Sequence, residues 1–93
     1  MTVGVLVLDV IIPASASLKE KRLVIRSLKE RVKKKFNVSI AETGFQDKWQ
    51  RSEIGIAVIS NSHTHAEESL NNIFHFLDVA DQYEIVAYNF EYY

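Results

Sequence analysis

The chain has 93 residues, of which 47% are hydrophobic, 25% are charged and none is cysteine. This length predicts a single domain, residues 1–93, and the composition is typical of a globular chain rather than a disordered one. The lack of cysteine excludes disulfides, thiolate metal sites and a cysteine nucleophile, and it is compatible with a reducing compartment.

The formal net charge of −1 conceals a segregation of charge along the sequence. Nine of the eleven basic residues lie between Lys19 and Lys35, and none follows Arg51. Seven acidic residues lie between Ser52 and Tyr93. Such segregation is typical of a surface that meets nucleic acid or an acidic partner.

A run of branched and aliphatic residues, Val3–Ile12, predicts a first strand that ends at Pro13. The run contains Asp9, is too short to cross a bilayer and has no basic leader. It therefore matches neither a membrane span nor a signal peptide, and we expect no membrane contact and a cytoplasmic location.

A helix follows, because Ser17 and Glu20 form a capping-box pattern at its start and Asn37 marks its end. At 100° per residue its apolar side chains share one broad arc, which predicts that the helix docks on a sheet. These side chains are Leu18, Val24, Ile25, Leu28, Val32 and Phe36.

One charged residue, Lys21, falls inside this apolar arc. Either its aliphatic stem runs along the apolar surface and brings the ammonium group to water, or the side chain reaches a buried carboxylate. Asp9 is a candidate carboxylate only if it points towards the helix, and the alternation of the first strand argues against this. We favour the first interpretation.

Three more strands and a second helix complete the chain. Thr64 and Glu67 repeat the capping-box pattern and start the second helix, and Gly44–Arg51 is a polar, aromatic connection. The order β-α-β-β-α-β predicts a ferredoxin-like α+β fold, with both helices on one face of a four-stranded antiparallel sheet. The further strands are Asn37–Thr43, Ile54–Ser60 and Tyr83–Tyr93, the last with Val86, Tyr88, Phe90 and Tyr92 on one face.

In this fold one face of the sheet carries no helix. If Leu6, Leu8, Val10 and Ile12 face the helices, the alternate positions of the first strand face outwards, and these are Val5, Val7, Asp9 and Ile11. An exposed apolar face on a small protein indicates a partner, and we expect a homodimer through this open sheet face. The alternative is that the connection Gly44–Arg51 folds over it.

Five cations recur along the first helix at spacings of three and four residues, which places them within about 80° beside the apolar arc. This basic ridge consists of Lys19, Arg22, Arg26, Lys29 and Lys33. Regularly spaced cations on a rigid element suit a phosphate backbone, which predicts contact with RNA or a ribosomal particle, with Arg51 as a further candidate. Two alternatives stay open: the charges solvate an exposed face and offset the helix dipole, or they meet acidic residues of the same or a neighbouring chain.

The connection before the third strand contains Asp47, Trp49, Gln50 and Arg51. In one interpretation Trp49 stacks on a base while Gln50 and Arg51 contact base edges or phosphates. In the other, which we favour, Trp49 is an apolar plug at the sheet edge or at a dimer seam. Asp47 and Arg51, four residues apart, then pair to hold the loop.

Nothing in the sequence has the spacing of a catalytic site. A glycine-rich phosphate loop, a nucleophile elbow and a spaced pair of carboxylates are all absent. His63, His65 and His75 are predicted to be solvated, because no acidic third ligand is placed beside them. We therefore predict a binding protein rather than an enzyme, without catalytic residues, metal or cofactor.

Two segments contain combinations of residues that an ordinary surface helix or hairpin would not need. They are Ser17-Leu18-Lys19-Glu20-Lys21-Arg22 and Gln46-Asp47-Lys48-Trp49-Gln50-Arg51. Together with the Val-Gly-Val-Leu start of the first strand and Ser60-Asn61, they resemble the YlxP-like family of small bacterial proteins of unknown function, over essentially the whole chain. The resemblance implies a ferredoxin-like fold, a cytoplasmic location and dimer formation. It also implies a link to RNA or the ribosome, because many such genes lie near those for translation initiation and ribosome maturation. It carries over no activity and no catalytic residue.

Overall fold

Four strands and two helices alternate as β-α-β-β-α-β in the computed structural model, which describes all residues from 1 to 93. The strands form one antiparallel sheet in the order β2-β3-β1-β4, and the predicted ferredoxin-like α+β fold is confirmed. The elements are β1 Thr2–Ile11, α1 Leu18–Lys35, β2 Ser39–Gly44, β3 Arg51–Ser60, α2 His63–Leu77 and β4 Glu84–Tyr92.

The hydrophobic core lies between the sheet and the two helices. Strand β1 supplies its centre, because Leu6, Leu8 and Val10 are fully buried and Ile12 is 1% exposed. The alternate residues of β1 are only partly buried and lie on the open face, as the alternation predicted. The helices complete the core with Ile25, Leu28 and Val32 from α1 and Ala66, Leu70, Ile73 and Leu77 from α2.

The two helix starts differ in how well the sequence predicted them. Ser17 caps α1 as expected, since its hydroxyl accepts a hydrogen bond from the Glu20 backbone N–H. The predicted cap of α2 is wrong: the cap is Ser62, whose hydroxyl accepts from the His65 N–H, and Thr64 lies within the first turn. Neither helix combines the length and the apolar composition needed to cross a bilayer.

Strand β4 contains an irregularity that the sequence did not reveal. Asp9 of β1 pairs with Ala87 and Val10 pairs with Ile85, so Val86 is an extra residue without a partner on β1. The prediction that Val86 shares a face with the three aromatic residues of β4 is therefore wrong. Those residues, Tyr88, Phe90 and Tyr92, pair with Leu8, Leu6 and Gly4 and lie on the helix side of the sheet.

Candidate functional site

The basic ridge lies along the outer surface of α1. Lys19, Arg22, Arg26 and Lys33 are exposed, and Lys29, which is nearest to the apolar arc, is half-buried. The ridge covers fourteen residue steps from Lys19 to Lys33, which is about 21 Å at the rise of an α-helix. The predicted arrangement of five cations along one rigid element is therefore present.

Most of the ridge is not neutralised by the rest of the chain. Within the ridge only Arg26 has an ion-pair partner, Glu30 of the same helix at 3.4 Å. Both side chains are about 70% exposed, so this pair contributes little. The other three ion pairs of the structure involve Lys21, Arg51 and His63. The acidic second half of the chain thus makes no ion pair with the ridge within one molecule.

Lys21 is fully buried, and the prediction that it reaches water is wrong. Its ammonium group lies 2.9 Å from the Glu42 carboxylate on β2. It also donates hydrogen bonds to the backbone carbonyls of Phe45, Gln46 and Arg51, at 2.7, 3.3 and 3.2 Å. Lys21 therefore ties the first turn of α1 to both ends of the β2–β3 loop.

Glu42 is the partner that the sequence interpretation missed. It lies near the end of β2, two residues before its last residue Gly44, and its carboxylate also accepts a 2.6 Å hydrogen bond from the hydroxyl of the buried Ser52. One signal was available, because Glu42 has the same parity on its strand as Val38 and Ile40, which face the core. A buried lysine and an inward-facing carboxylate on neighbouring elements are natural partners.

Arg51 belongs to the open face of the sheet rather than to the basic ridge. Its guanidinium group makes a two-pronged pair with Asp9, with N–O distances of 3.1 and 2.7 Å, and these hydrogen bonds raise the pKa of Arg51. The predicted pairing of Asp47 with Arg51 is therefore wrong. Because Asp9 lies on the face opposite the helices, the structure does not bring Arg51 to the ridge.

The β2–β3 loop places Trp49 at the surface. The Trp49 side chain is 55% exposed, so the prediction that it fills the sheet edge within one molecule is wrong. The prediction that Trp49 packs at the seam of a dimer stays a prediction. The Gln50 amide donates hydrogen bonds to the carbonyls of Pro13 and Ser15, which draws the loop towards the β1–α1 connection. The loop therefore borders the open face at its Ile11 end and does not cover its centre.

The open face is broad and weakly polar along its centre. Val3, Val5, Val7 and Ile11 of β1 are half-buried there, and Ile59 of β3 is 72% exposed. Small residues on the neighbouring strands keep this surface flat: Ala41, Gly55, Ala57 and Ala87. No helix lies over it.

The three histidines do not converge. His63 lies 2.8 Å from Glu67, and His65 shares a 3.1 Å hydrogen bond with the Ser60 hydroxyl. His75 is exposed near the end of α2. No group of three histidine, aspartate or glutamate side chains is arranged as a metal site.

These features define a small ferredoxin-like α+β protein with an uncovered sheet face and a cationic first helix. The chain belongs to the family described as "Protein of unknown function (DUF503)", whose family model matches residues 3–90. A relative in Bacillus subtilis (strain 168), named "Uncharacterized protein YlxP", is 47% identical over 70 residues, which are 75% of this chain and 76% of that protein. The resemblance to the YlxP-like family, which was inferred from two sequence motifs, is confirmed.

Proposed function

We propose that this protein binds RNA, free or within a ribosomal particle, through the basic ridge of α1, and that it acts by binding rather than by catalysis. The observation that supports this proposal is the lack of ion-pair partners for four of the five cations, which are Lys19, Arg22, Lys29 and Lys33. Free cations on a rigid helix release the counterions of a phosphate backbone when they bind it, which favours association.

The charge distribution favours one orientation of the complex. Residues 52–93, which include α2 and β4, carry seven acidic side chains and no lysine or arginine. A polyanion is therefore repelled from this part of the molecule and attracted to α1, so that charge steers the encounter. If the charges served only to keep the surface solvated, the basic residues would not need to be separated from the acidic ones in this way.

A single charge reversal tests the ridge. Arg22→Glu should weaken binding to a fluorescently labelled RNA hairpin by about tenfold, because it removes one charge-assisted contact and adds a repulsive charge. Lys34→Glu makes the same change in net charge on the same helix, at an exposed position about 100° from the centre of the ridge. Fluorescence anisotropy measures both affinities.

The Lys34→Glu control should bind the hairpin almost as tightly as the wild type. Equal losses of affinity in both variants would mean that overall charge, not the ridge, drives binding. The same two variants can be compared for co-sedimentation with ribosomes from a cell extract, where Arg22→Glu should dissociate at lower salt.

We also propose a homodimer formed through the centre of the open sheet face, since neither helix lies over this apolar surface and the loop borders it only at the Ile11 end. Flat sheet faces with small side chains pack closely against each other. Pairing of two open faces would leave both basic ridges on the outside of the dimer, because α1 covers the opposite side of the sheet. The two proposals are therefore compatible.

Val7→Glu tests the dimer. Val7 lies at the centre of the open face, between Gly55 and Asn89 on the neighbouring strands. A carboxylate buried there without a partner should raise the dimer dissociation constant by about 100-fold or more. Asn72→Glu on the exposed side of α2 is the control and should leave the dimer intact. Analytical ultracentrifugation of a wild-type protein that stays monomeric at high concentration would contradict the proposal.

A further inference from the structure

A groove of about 610 Å³ opens between the β2–β3 loop and the end of β1. Its walls combine aromatic, cationic and amide side chains, and they consist of Ile11, Phe45, Lys48, Trp49, Gln50 and Arg51. The Trp49 side chain is 55% exposed in it. An exposed tryptophan beside cations is the combination that stacks on the bases of single-stranded nucleic acid.

Hydrogen bonds from other parts of the chain hold both ends of the loop that carries Trp49. Lys21 binds the carbonyls of Phe45 and Gln46 at the start of the loop and that of Arg51 at its end. The Gln50 amide fixes the loop to the β1–α1 connection as well. A surface that is already ordered loses less conformational entropy when it binds a ligand.

Phe45 has a backbone conformation that supports a role for this groove. Its φ of 57° lies in the left-handed region, which is uncommon for a phenylalanine. This conformation accompanies the short Lys21 hydrogen bond, and the Phe45 ring lies beneath the Arg51 guanidinium group at 4.2 Å. Strained residues of this kind cluster at binding sites.

We propose that the groove binds an unpaired nucleobase of the RNA, with Trp49 as the stacking platform and the stacked Arg51–Phe45 pair as the adjoining wall. This inference rests on the proposed function, since the RNA also contacts the basic ridge. The loop and the ridge meet at the first turn of α1, because Lys21 binds the loop next to Lys19 and Arg22, so in this proposal one RNA passes round the edge of the sheet to contact both surfaces.

Lys48 favours a nucleotide over a second copy of the chain in this groove. None of the ion pairs in the structure includes Lys48. A protein interface that buried it would need to supply an acidic partner, because an unpaired buried cation is unfavourable. A phosphate attached to the stacked base supplies the negative charge directly.

The fluorescence of Trp49 tests the proposal, because Trp49 is the sole tryptophan of the chain. A single-stranded oligoribonucleotide should quench this fluorescence, whereas a blunt RNA duplex, which binds through the ridge alone, should not. Trp49→Ala should weaken single-strand binding by about tenfold and leave duplex binding unchanged. Tyr88→Ala is the control, as it removes an aromatic side chain that is 57% exposed on β4.

The outcomes separate the groove from the ridge. If both RNAs bind without quenching and Trp49→Ala binds the single strand normally, the groove proposal is overturned while the ridge stands. If neither RNA binds, the proposed function fails and the groove proposal fails with it. Trp49 fluorescence that changes with protein concentration alone, and not with RNA, would assign the groove to an interface between copies and overturn the proposal.

Discussion

Replacement of Lys21 by Met should lower the free energy of unfolding by about 3 kcal/mol. The substitution keeps most of the aliphatic volume but removes the ammonium group, which leaves the Glu42 carboxylate and three loop carbonyls without their donor. Breaking a buried ion pair is costly because the remaining charge has no compensation. Such a loss is a large part of the stability of a domain of this size, about 5–14 kcal/mol.

Urea denaturation followed by circular dichroism measures this effect. Lys19→Met, two residues earlier on the same turn, is the matched control, and its exposed position predicts a change within about 0.5 kcal/mol. The double variant Lys21→Met/Glu42→Gln should recover part of the loss, because it removes the unpaired carboxylate as well. A Lys21→Met protein as stable as the Lys19→Met control would contradict the assigned role of Lys21.

The fold was predictable because several local signals agreed. The alternation of β1, the cap at Ser17 and the apolar arc of α1 each indicate one element, and together they allow one familiar arrangement. Strand ends were less accurate: β3 begins at Arg51 rather than at Ile54. Arg51 and Glu53 are polar residues within a strand whose inward face is apolar, so composition alone marks them as loop.

Contacts between distant elements were not predictable from the sequence. The helical wheel showed that Lys21 is out of place in an apolar arc, but not that Glu42 is its partner. Arg51 pairs with Asp9 because the register sets Arg51 opposite Ile11, two residues from Asp9 on the same face. Strand register depends on packing over the whole sheet, so the pairing of residues on neighbouring strands could not be read from this one sequence.

Reversal of three ridge charges is the second prediction with a large expected effect. Arg22→Glu, Arg26→Glu and Lys29→Glu together should abolish measurable binding to a blunt RNA duplex at physiological salt, because three phosphate contacts are replaced by repulsion. Arg22 and Arg26 are exposed and Lys29 is half-buried, so the fold should persist. Circular dichroism checks this directly.

A control of equal charge separates the ridge from electrostatics in general. Arg31→Glu, Lys34→Glu and Lys35→Glu change the net charge by the same amount but lie outside both the ridge and the groove. Duplex binding by this control should stay well above that of the ridge variant. If both triple variants lose binding equally, the location of the cations on α1 has no special role.

The salt dependence of duplex binding tests the central claim most directly. A ridge that neutralises about four phosphates predicts a slope of about −3 to −4 for the logarithm of the binding constant against the logarithm of the salt concentration. Arg22→Glu should make this slope shallower by about one. A wild-type slope near zero, or a slope that the Arg22→Glu substitution leaves unchanged, would contradict RNA binding through the basic ridge.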